Sequence, residues 1–220
     1  MKIGVLGTGM VGNSVGSKLV SLGHEVKMGS RTANNEKAAA WVAQAGERAS
    51  QGTFADAASF ADIVFNCTAG AGTIEALQLA GKNNLARKIL VDIANPLDFS
   101  KGFPPSLSIC NTDSLGEQVQ KLLPDTKVVK TLNTMNTYIM MDPARVPGDH
   151  DVFMCGNDGE AKAQVAKILR EWLGWKHVID LGDITQARGT EMFLPLWVRL
   201  YGALQTADFN IHVVRAPAAT

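Results

Sequence analysis

The sequence predicts an α/β protein built on a doubly wound, mostly parallel sheet with a small C-terminal helical extension. Three observations point there. Short apolar runs of strand length alternate with stretches of helical periodicity, an order that packs helices on both faces of a parallel sheet. The first run, KIGVL at residues 2–6, opens directly onto glycines. The chain has 220 residues, 46% hydrophobic and 19% charged, which suits one such domain and a modest extension.

The elements follow in order. A helix is expected over residues 12–22, stopped by Leu22-Gly23 because glycine accepts the left-handed conformation that caps a helix. A second strand follows His24 and ends near Gly29. An alanine-rich helix over 35–45, a weaker strand over 49–53 and a short helix over 56–61 come next. Residues 62–68 (DIVFNCT) read as a buried strand that opens onto Ala69-Gly70-Ala71-Gly72, before a helix over 73–80. Another strand, 88–93, is stopped by Asn95-Pro96, since the residue before proline is pushed out of the helical region. A loop holding Lys101-Gly102-Phe103-Pro104-Pro105 leads to a helix over 114–122 and a strand over 127–132, ending at Asn133-Thr134-Met135-Asn136. Strand, helix and strand are expected at 151–155, 160–173 and 177–181, then one long helical tail over 185–209. Residues 1–183 form the main unit, and 184–220 an extension packed on it.

The turn after the first strand reads Gly7-Thr8-Gly9-Met10-Val11-Gly12, the G-x-G-x-x-G spacing of a dinucleotide site in its strand–turn–helix context. Gly7 permits the tight turn, Gly9 lets a pyrophosphate approach the backbone, and Gly12 lets the helix pack against the strand. The helix N-terminus then faces the phosphates. A site that prefers NAD carries a carboxylate at the end of the second strand; here the chain has Gly29-Ser30-Arg31-Thr32. A hydroxyl beside a guanidinium suits a 2′-phosphate, and Lys37 adds a second positive charge. The reading is an NADP(H) site of Rossmann type; a surface loop that happens to hold Ser and Arg is the alternative.

Ligands of such sheets sit beyond the carboxyl ends of the strands. That gathers Gly7-Thr8-Gly9, Ser30-Arg31, Thr68-Ala69-Gly70, Asn95-Pro96 and Asn133-Thr134-Met135 around one crevice. The nicotinamide is expected to reach 68–70 and 133–135, with the small residues at 69–72 letting a flat ring approach the backbone. An ordinary glycine-containing turn explains 69–72 equally well.

Composition bounds the rest. Lys plus Arg and Asp plus Glu number 21 each, a net charge of +0, which argues against a nucleic-acid surface. Cys67, Cys110 and Cys155 offer neither a metal cluster nor an even disulfide set, so a reduced, cytoplasmic setting is expected. The first strand leaves no room for a signal peptide, and the apolar stretch 192–204 is too short to span a bilayer. The chain offers no Tyr-x-x-x-Lys; its tyrosines are Tyr138 and Tyr201, and its four histidines read as turn or surface residues. Hydride transfer between two cofactor rings needs no such acid or base. No catalytic side chain is therefore assigned. A helix face with Pro195-Leu196-Trp197 and Tyr201 suits a homodimer contact, or the core of the same molecule.

With the glycine turn, Gly29-Ser30-Arg31-Thr32 and Val128-Val129-Lys130-Thr131-Leu132-Asn133-Thr134 in place, the chain resembles the coenzyme F420-dependent NADP oxidoreductases. It is also similar to the oxidoreductase domain of the six-transmembrane metalloreductases. The resemblance extends to Ser100-Lys101-Gly102-Phe103, Cys155-Gly156-Asn157-Asp158 and Arg188-Gly189-Thr190-Glu191. It implies hydride exchange between NADP(H) and a deazaflavin (F420) or a flavin such as FMN or FAD, with Thr8, Ser30, Arg31 and Lys37 on NADP. It also implies an acceptor pocket at Asn95-Pro96-Leu97 and Leu200-Tyr201-Gly202. The chain departs from the family where an Ile-Pro pair is common: it has Ala69-Gly70-Ala71-Gly72, and its Asn133–Asn136 turn is more polar. A reductase of a small carbonyl or imine, and a non-enzymatic NADP sensor, are the competing readings.

Overall fold

The computed structural model describes residues 1–216, so the last four residues of the expected extension 184–220 lie outside it. Ten strands form: β1 Lys2–Leu6, β2 Glu25–Ser30, β3 Ala49–Thr53, β4 Ile63–Asn66, β5 Ile89–Asp92, β6 Leu97–Asp98, β7 Ser106–Leu107, β8 Lys127–Thr131, β9 Asp151–Gly156 and β10 His177–Asp180. Eight of them make one sheet in the order β10-β9-β8-β5-β4-β1-β2-β3, while β6 and β7 form a separate small hairpin. The large sheet is parallel apart from the β8–β9 pair. Central β4 (IVFN) and β5 (ILVD) are buried at every residue, as strands covered on both faces must be.

The helices are α1 Met10–Ser21, α2 Glu36–Ala45, α3 Phe54–Phe60, α4 Gly70–Ala80, α5 Lys82–Leu85, α6 Leu115–Leu122, α7 Thr137–Met141, α8 Gly159–Lys167, α9 Ala187–Met192 and α10 Leu194–Leu204. They divide between two cores. On one face Val15 and Leu19 of α1, Trp41 of α2, Ile139 of α7 and Val165 of α8 meet Val5, Phe65 and Val91. On the other, Phe54 of α3, Leu77 of α4, Val119 of α6 and Ala187 of α9 meet Leu6, Val64 and Leu90. Adjacent strand residues thus enter opposite cores, the period of two that a sheet imposes.

Several helices start earlier than their apolar pattern. Helix α3 begins at Phe54 because Thr53 and Asp56 cap it reciprocally: Thr53 Oγ1 accepts from the Asp56 amide at 3.1 Å, and Asp56 Oδ2 accepts from the Thr53 amide at 2.8 Å. The short α5, α7 and the β6–β7 hairpin were not expected, being too brief to show a period. The tail departs most. Instead of one helix over 185–209, the chain makes a 3-10 turn at Ile184–Gln186, then α9 and α10. The break falls at Phe193, where Pro195 cannot donate back to Glu191. Helix α10 ends at Gln205 in a left-handed conformation (φ 53°). Beyond it the chain turns back to β9, where the Asp151 amide donates to the Ile211 carbonyl at 2.9 Å.

Candidate cofactor and acceptor site

The glycine turn lies where the strand order reverses, with β1 between β2 and β4. Gly7 has φ +115°, and a Cβ there would stand 2.7 Å from the Cys67 carbonyl oxygen. At Gly12 a Cβ would stand 2.0 Å from the Gly7 carbonyl oxygen, so the glycine is required where α1 rests on its own turn. Gly9 has nothing within 4 Å, which leaves its side open to a ligand. Helix α1 has no acidic residue in its first turn and no side-chain cap, so its leading amides suit an anion. A groove of about 480 Å³ beside this turn is lined by Thr8, Gly9, Met10, Asn13, Lys37 and Tyr138, among others. Lys37 therefore stands at the glycine turn and not only near the end of β2.

Ser30 is buried at the end of β2, where its hydroxyl donates to the Thr32 carbonyl at 2.6 Å. It shapes the turn that carries Arg31 outward, and it must rotate to donate to a phosphate. Thr32 is exposed. The Arg31 guanidinium reaches α4 and pairs with Glu75 at 3.2 Å, both side chains more than half exposed (64% and 58%). Such a pair is worth little in water, so a phosphate dianion can displace Glu75.

A second cleft, about 830 Å³, opens from the same end of the sheet. Met10, Val11, Thr68, Ala69, Gly70, Asn95, Asn133 and Met135 all line it, as the sequence pattern expected. Pro96 and Thr134 do not, and Ser30 and Arg31 line neither this cleft nor the groove at the glycine turn. The Pro96 carbonyl instead accepts from the Ser108 amide at 2.8 Å, holding the small hairpin in place, and Thr134 is buried. From α10 the lining residues are Leu194 and Trp197, not Leu200-Tyr201-Gly202. Tyr201 stacks on Trp197 at 5.8 Å, and Phe209 stacks on the same indole at 5.4 Å. A broader polar groove of about 1430 Å³ along α6 shares no lining residue with either site.

Gly70 has a duty the sequence did not show. A Cβ on it would stand 2.0 Å from the Asn95 carbonyl oxygen, so its bare side faces protein backbone and not a ring. Gly70→Ala should therefore cost at least about 2 kcal/mol of stability. Urea unfolding would show it; an unchanged midpoint would mean that the two segments separate freely.

Electrostatics at the cleft are simple. Burial, then the charge of Asp92, pushes the Cys67 thiol far above its usual range, so this cysteine is no nucleophile. Hydrogen bonds from the backbone and hydroxyl of Ser100 hold Asp98 low, hence ionised and no proton donor. Asn95 and Asn133 grip one another: Asn133 Nδ2 donates to Asn95 Oδ1 at 2.9 Å, and Asn95 Nδ2 to the Asn133 carbonyl at 2.8 Å. Among the described residues no group of three or more His, Cys, Asp or Glu could hold a metal ion. None of their helices is long and apolar enough to cross a membrane.

Beneath the cleft lies a cluster that sequence reasoning missed. Lys130 Nζ contacts Asp92 Oδ2 at 2.9 Å and Glu191 Oε1 at 2.8 Å, and all three side chains are 0–1% exposed. Its third hydrogen goes to the Ala94 carbonyl. Glu191 also accepts from the Leu115 and Gly116 amides at 2.8 and 3.0 Å, capping α6. One signal was available: Asp92 ends the apolar run ILV, and Lys130 follows Val128-Val129 within KVVKT.

Known proteins resemble this chain in sequence and fold. The family model for coenzyme F420-dependent NADP oxidoreductases matches residues 2–96. Metalloreductase STEAP3 of Rattus norvegicus is 30% identical over 201 residues, covering 89% of this chain and 38% of that protein. The F420-dependent NADP reductase of Methanocaldococcus jannaschii is 31% identical over 146 residues, covering 66% of this chain and 64% of that one. The chain thus spans less than two thirds of either curated relative. A solved structure from Arthrobacter sp. FB24, described as a candidate F420-dependent NADP reductase, is 55% identical and superposes with a TM-score of 0.93, covering 98% of this chain and 100% of that one. Fold, glycine turn and full-length likeness coincide: this chain belongs to the coenzyme F420-dependent NADP oxidoreductase family.

Proposed function

We propose that the chain transfers hydride reversibly between NADP(H) and a deazaflavin of the F420 type, by stacking two rings without a protein acid or base. One observation carries this reading. A largely apolar cleft opens next to the glycine turn, lined by strand-end segments on one side and α7 and α10 on the other. Its 830 Å³ falls within the size range of cofactor sites. The names of the family and of its reductase members support the choice of acceptor.

When bound, NADPH supplies the hydride; the chain's own residues bind, orient and exclude water. Gly7, Gly9, Gly12 and the leading amides of α1 would take the pyrophosphate, with Thr8 and Lys37 beside it. Arg31 would hold the 2′-phosphate. Thr68, Asn95, Asn133 and Met135 would flank the nicotinamide, and Trp197 would wall the acceptor side. Loss of NADPH absorbance, followed with F420, FMN, FAD and no acceptor in parallel, tests the reading. Oxidation with F420 alone supports it, whereas oxidation with FMN or FAD alone moves the acceptor to flavins. Tight NADPH binding without oxidation by any ring leaves a sensor.

Tyr138, exposed at the cleft, favours a second reading as the acid of a carbonyl or imine reductase. General acids contribute about 10²–10⁴-fold to rate. Tyr138→Phe is expected to keep kcat with a deazaflavin within about twofold, since ring-to-ring transfer does not use that acid. A fall of 10²-fold or more would show that this transfer does use a protein acid and overturn that part of the proposal. Leu196 and Leu204 stay exposed on α10, and we propose that face for pairing of two copies. Light scattering that finds a monomer at all concentrations would remove that proposal.

A further inference from the structure

The buried cluster under the cleft connects to it through an unbroken series of hydrogen bonds. Asp92 Oδ1 accepts from Asn66 Nδ2 at 2.7 Å, and Asn66 Oδ1 accepts from Thr68 Oγ1 at 2.7 Å. Thr68 lines the cleft, and Asn66 is fully buried. The polarity along this chain is forced. Lys130 spends its three hydrogens on Asp92, Glu191 and the Ala94 carbonyl, so the paired Asp92 is an ionised acceptor. Asn66 must then turn its amino group to Asp92 and its oxygen to Thr68. The Thr68 hydroxyl hydrogen is committed to that oxygen. Thr73 Oγ1, 2.8 Å away, then acts as donor, its one hydrogen shared between Thr68 and the Ala69 carbonyl at 3.3 Å. What remains on Thr68 Oγ1 is a lone pair.

Asn133 reaches the same polarity by another route. Its amino group is held by Asn95 Oδ1, which leaves Oδ1 as the unpartnered atom. That oxygen is buried and has no hydrogen-bond partner, although Asn133 lines the cleft and is only 1% exposed. A buried acceptor without a donor costs about 1–3 kcal/mol, so a ligand that supplies the donor is favoured. Two acceptors of fixed polarity thus belong to one cleft.

We infer that Thr68 Oγ1 and Asn133 Oδ1 read the two N–H bonds of a primary carboxamide on a pyridine ring, with Asp92 and Lys130 as positioning residues acting through Asn66. The inference rests on the placement of the nicotinamide in this cleft. It deepens that placement by saying which group of the ring is recognised and what orients it. A carboxylate in the same position would set lone pairs against lone pairs and be rejected.

The test compares binding of NADP⁺ with binding of its 3-acetylpyridine analogue, in which a methyl group replaces the carboxamide NH₂, by calorimetry on the intact protein. NADP⁺ is expected to bind about tenfold more tightly. Thr68→Val should weaken NADP⁺ while leaving the analogue unchanged, so that the preference falls below about threefold. Asp92→Asn, which frees the Asn66 amide to turn over, should erode the preference in the same way, whereas a merely structural role would weaken both ligands alike. Equal binding of the two ligands to the unaltered protein overturns this inference and leaves the NADP site standing, because the glycine turn and Arg31 hold both. A full preference retained in Thr68→Val overturns the role of that hydroxyl. Failure of both ligands to bind removes the cofactor reading itself.

Discussion

Lys130→Met is expected to lower the free energy of unfolding by about 3–5 kcal/mol, the cost of leaving buried carboxylates without their cation. Asp92 and Glu191 are both within 2.9 Å of the ammonium and have no water to turn to. The loss should be partly recovered by adding Asp92→Asn and Glu191→Gln, which remove the charges and keep an oxygen to accept from Asn66 and from one of the Leu115 and Gly116 amides. Urea denaturation of the three proteins measures both effects. A loss under about 1 kcal/mol for Lys130→Met would sink the view of this cluster as a desolvated charge group. The dependence on pH has a definite sign. Burial alone would pull the Lys130 pKa down, but attraction to Asp92 and Glu191 outweighs it, so the folded pKa lies above the ordinary lysine value. The cluster's contribution is then complete below about pH 10.4 and fades as pH rises through the higher folded value. Between neutral pH and pH 9 Lys130 itself should add no pH dependence to the stability of the wild type.

Arg31→Ala is expected to weaken NADPH by about 1–3 kcal/mol and to leave NADH nearly unchanged. The guanidinium is at the surface, where Glu75 pairs with it, and a fork of charged donors on a phosphate is stronger than an exposed ion pair. Because the site is open, the preference should narrow as salt is added. Dissociation constants for the two nucleotides at low and high ionic strength decide the matter. Equal losses for NADPH and NADH would move the 2′-phosphate away from Arg31, with Lys37 the next candidate. Glu75→Gln serves as a complement: it frees the guanidinium and should strengthen NADPH slightly.

Much of this architecture was legible because its causes are local. KIGVL followed by three spaced glycines specifies a strand, a turn and a helix, since Gly7 and Gly12 answer contacts from the neighbouring strand or within a few residues, while Gly9 leaves the turn open. The strands at 62–68 and 88–93 were visible as apolar runs, and the structure keeps their cores as β4 and β5. Helix starts were misplaced by two or three residues wherever capping or a glycine extended the helix past its apolar pattern, as at Phe54 and Gly70. The tail was misread because apolar periodicity continues through Pro195, while the hydrogen bond that proline cannot make breaks the helix.

At the candidate site the division is similar. The segments 68–70, 95 and 133–135 could be brought together on paper, because strand ends of one parallel sheet must face the same way. Which of their residues point into the cleft could not be read. Pro96 and Thr134 turn elsewhere, and Trp197 takes the place expected of Tyr201.

The sequence by itself determined the sheet, the glycine turn and the charge beside it, because periodicity and backbone sterics act over a few residues. Only the tertiary structure decided that Lys130 meets Asp92, 38 positions away, and Glu191 on the tail, and that Asn66 passes their polarity to Thr68. Side chains so far apart meet only once the loops between them have closed and water has been excluded. Low dielectric then makes each charge demand a partner and fixes the direction of every hydrogen bond that follows.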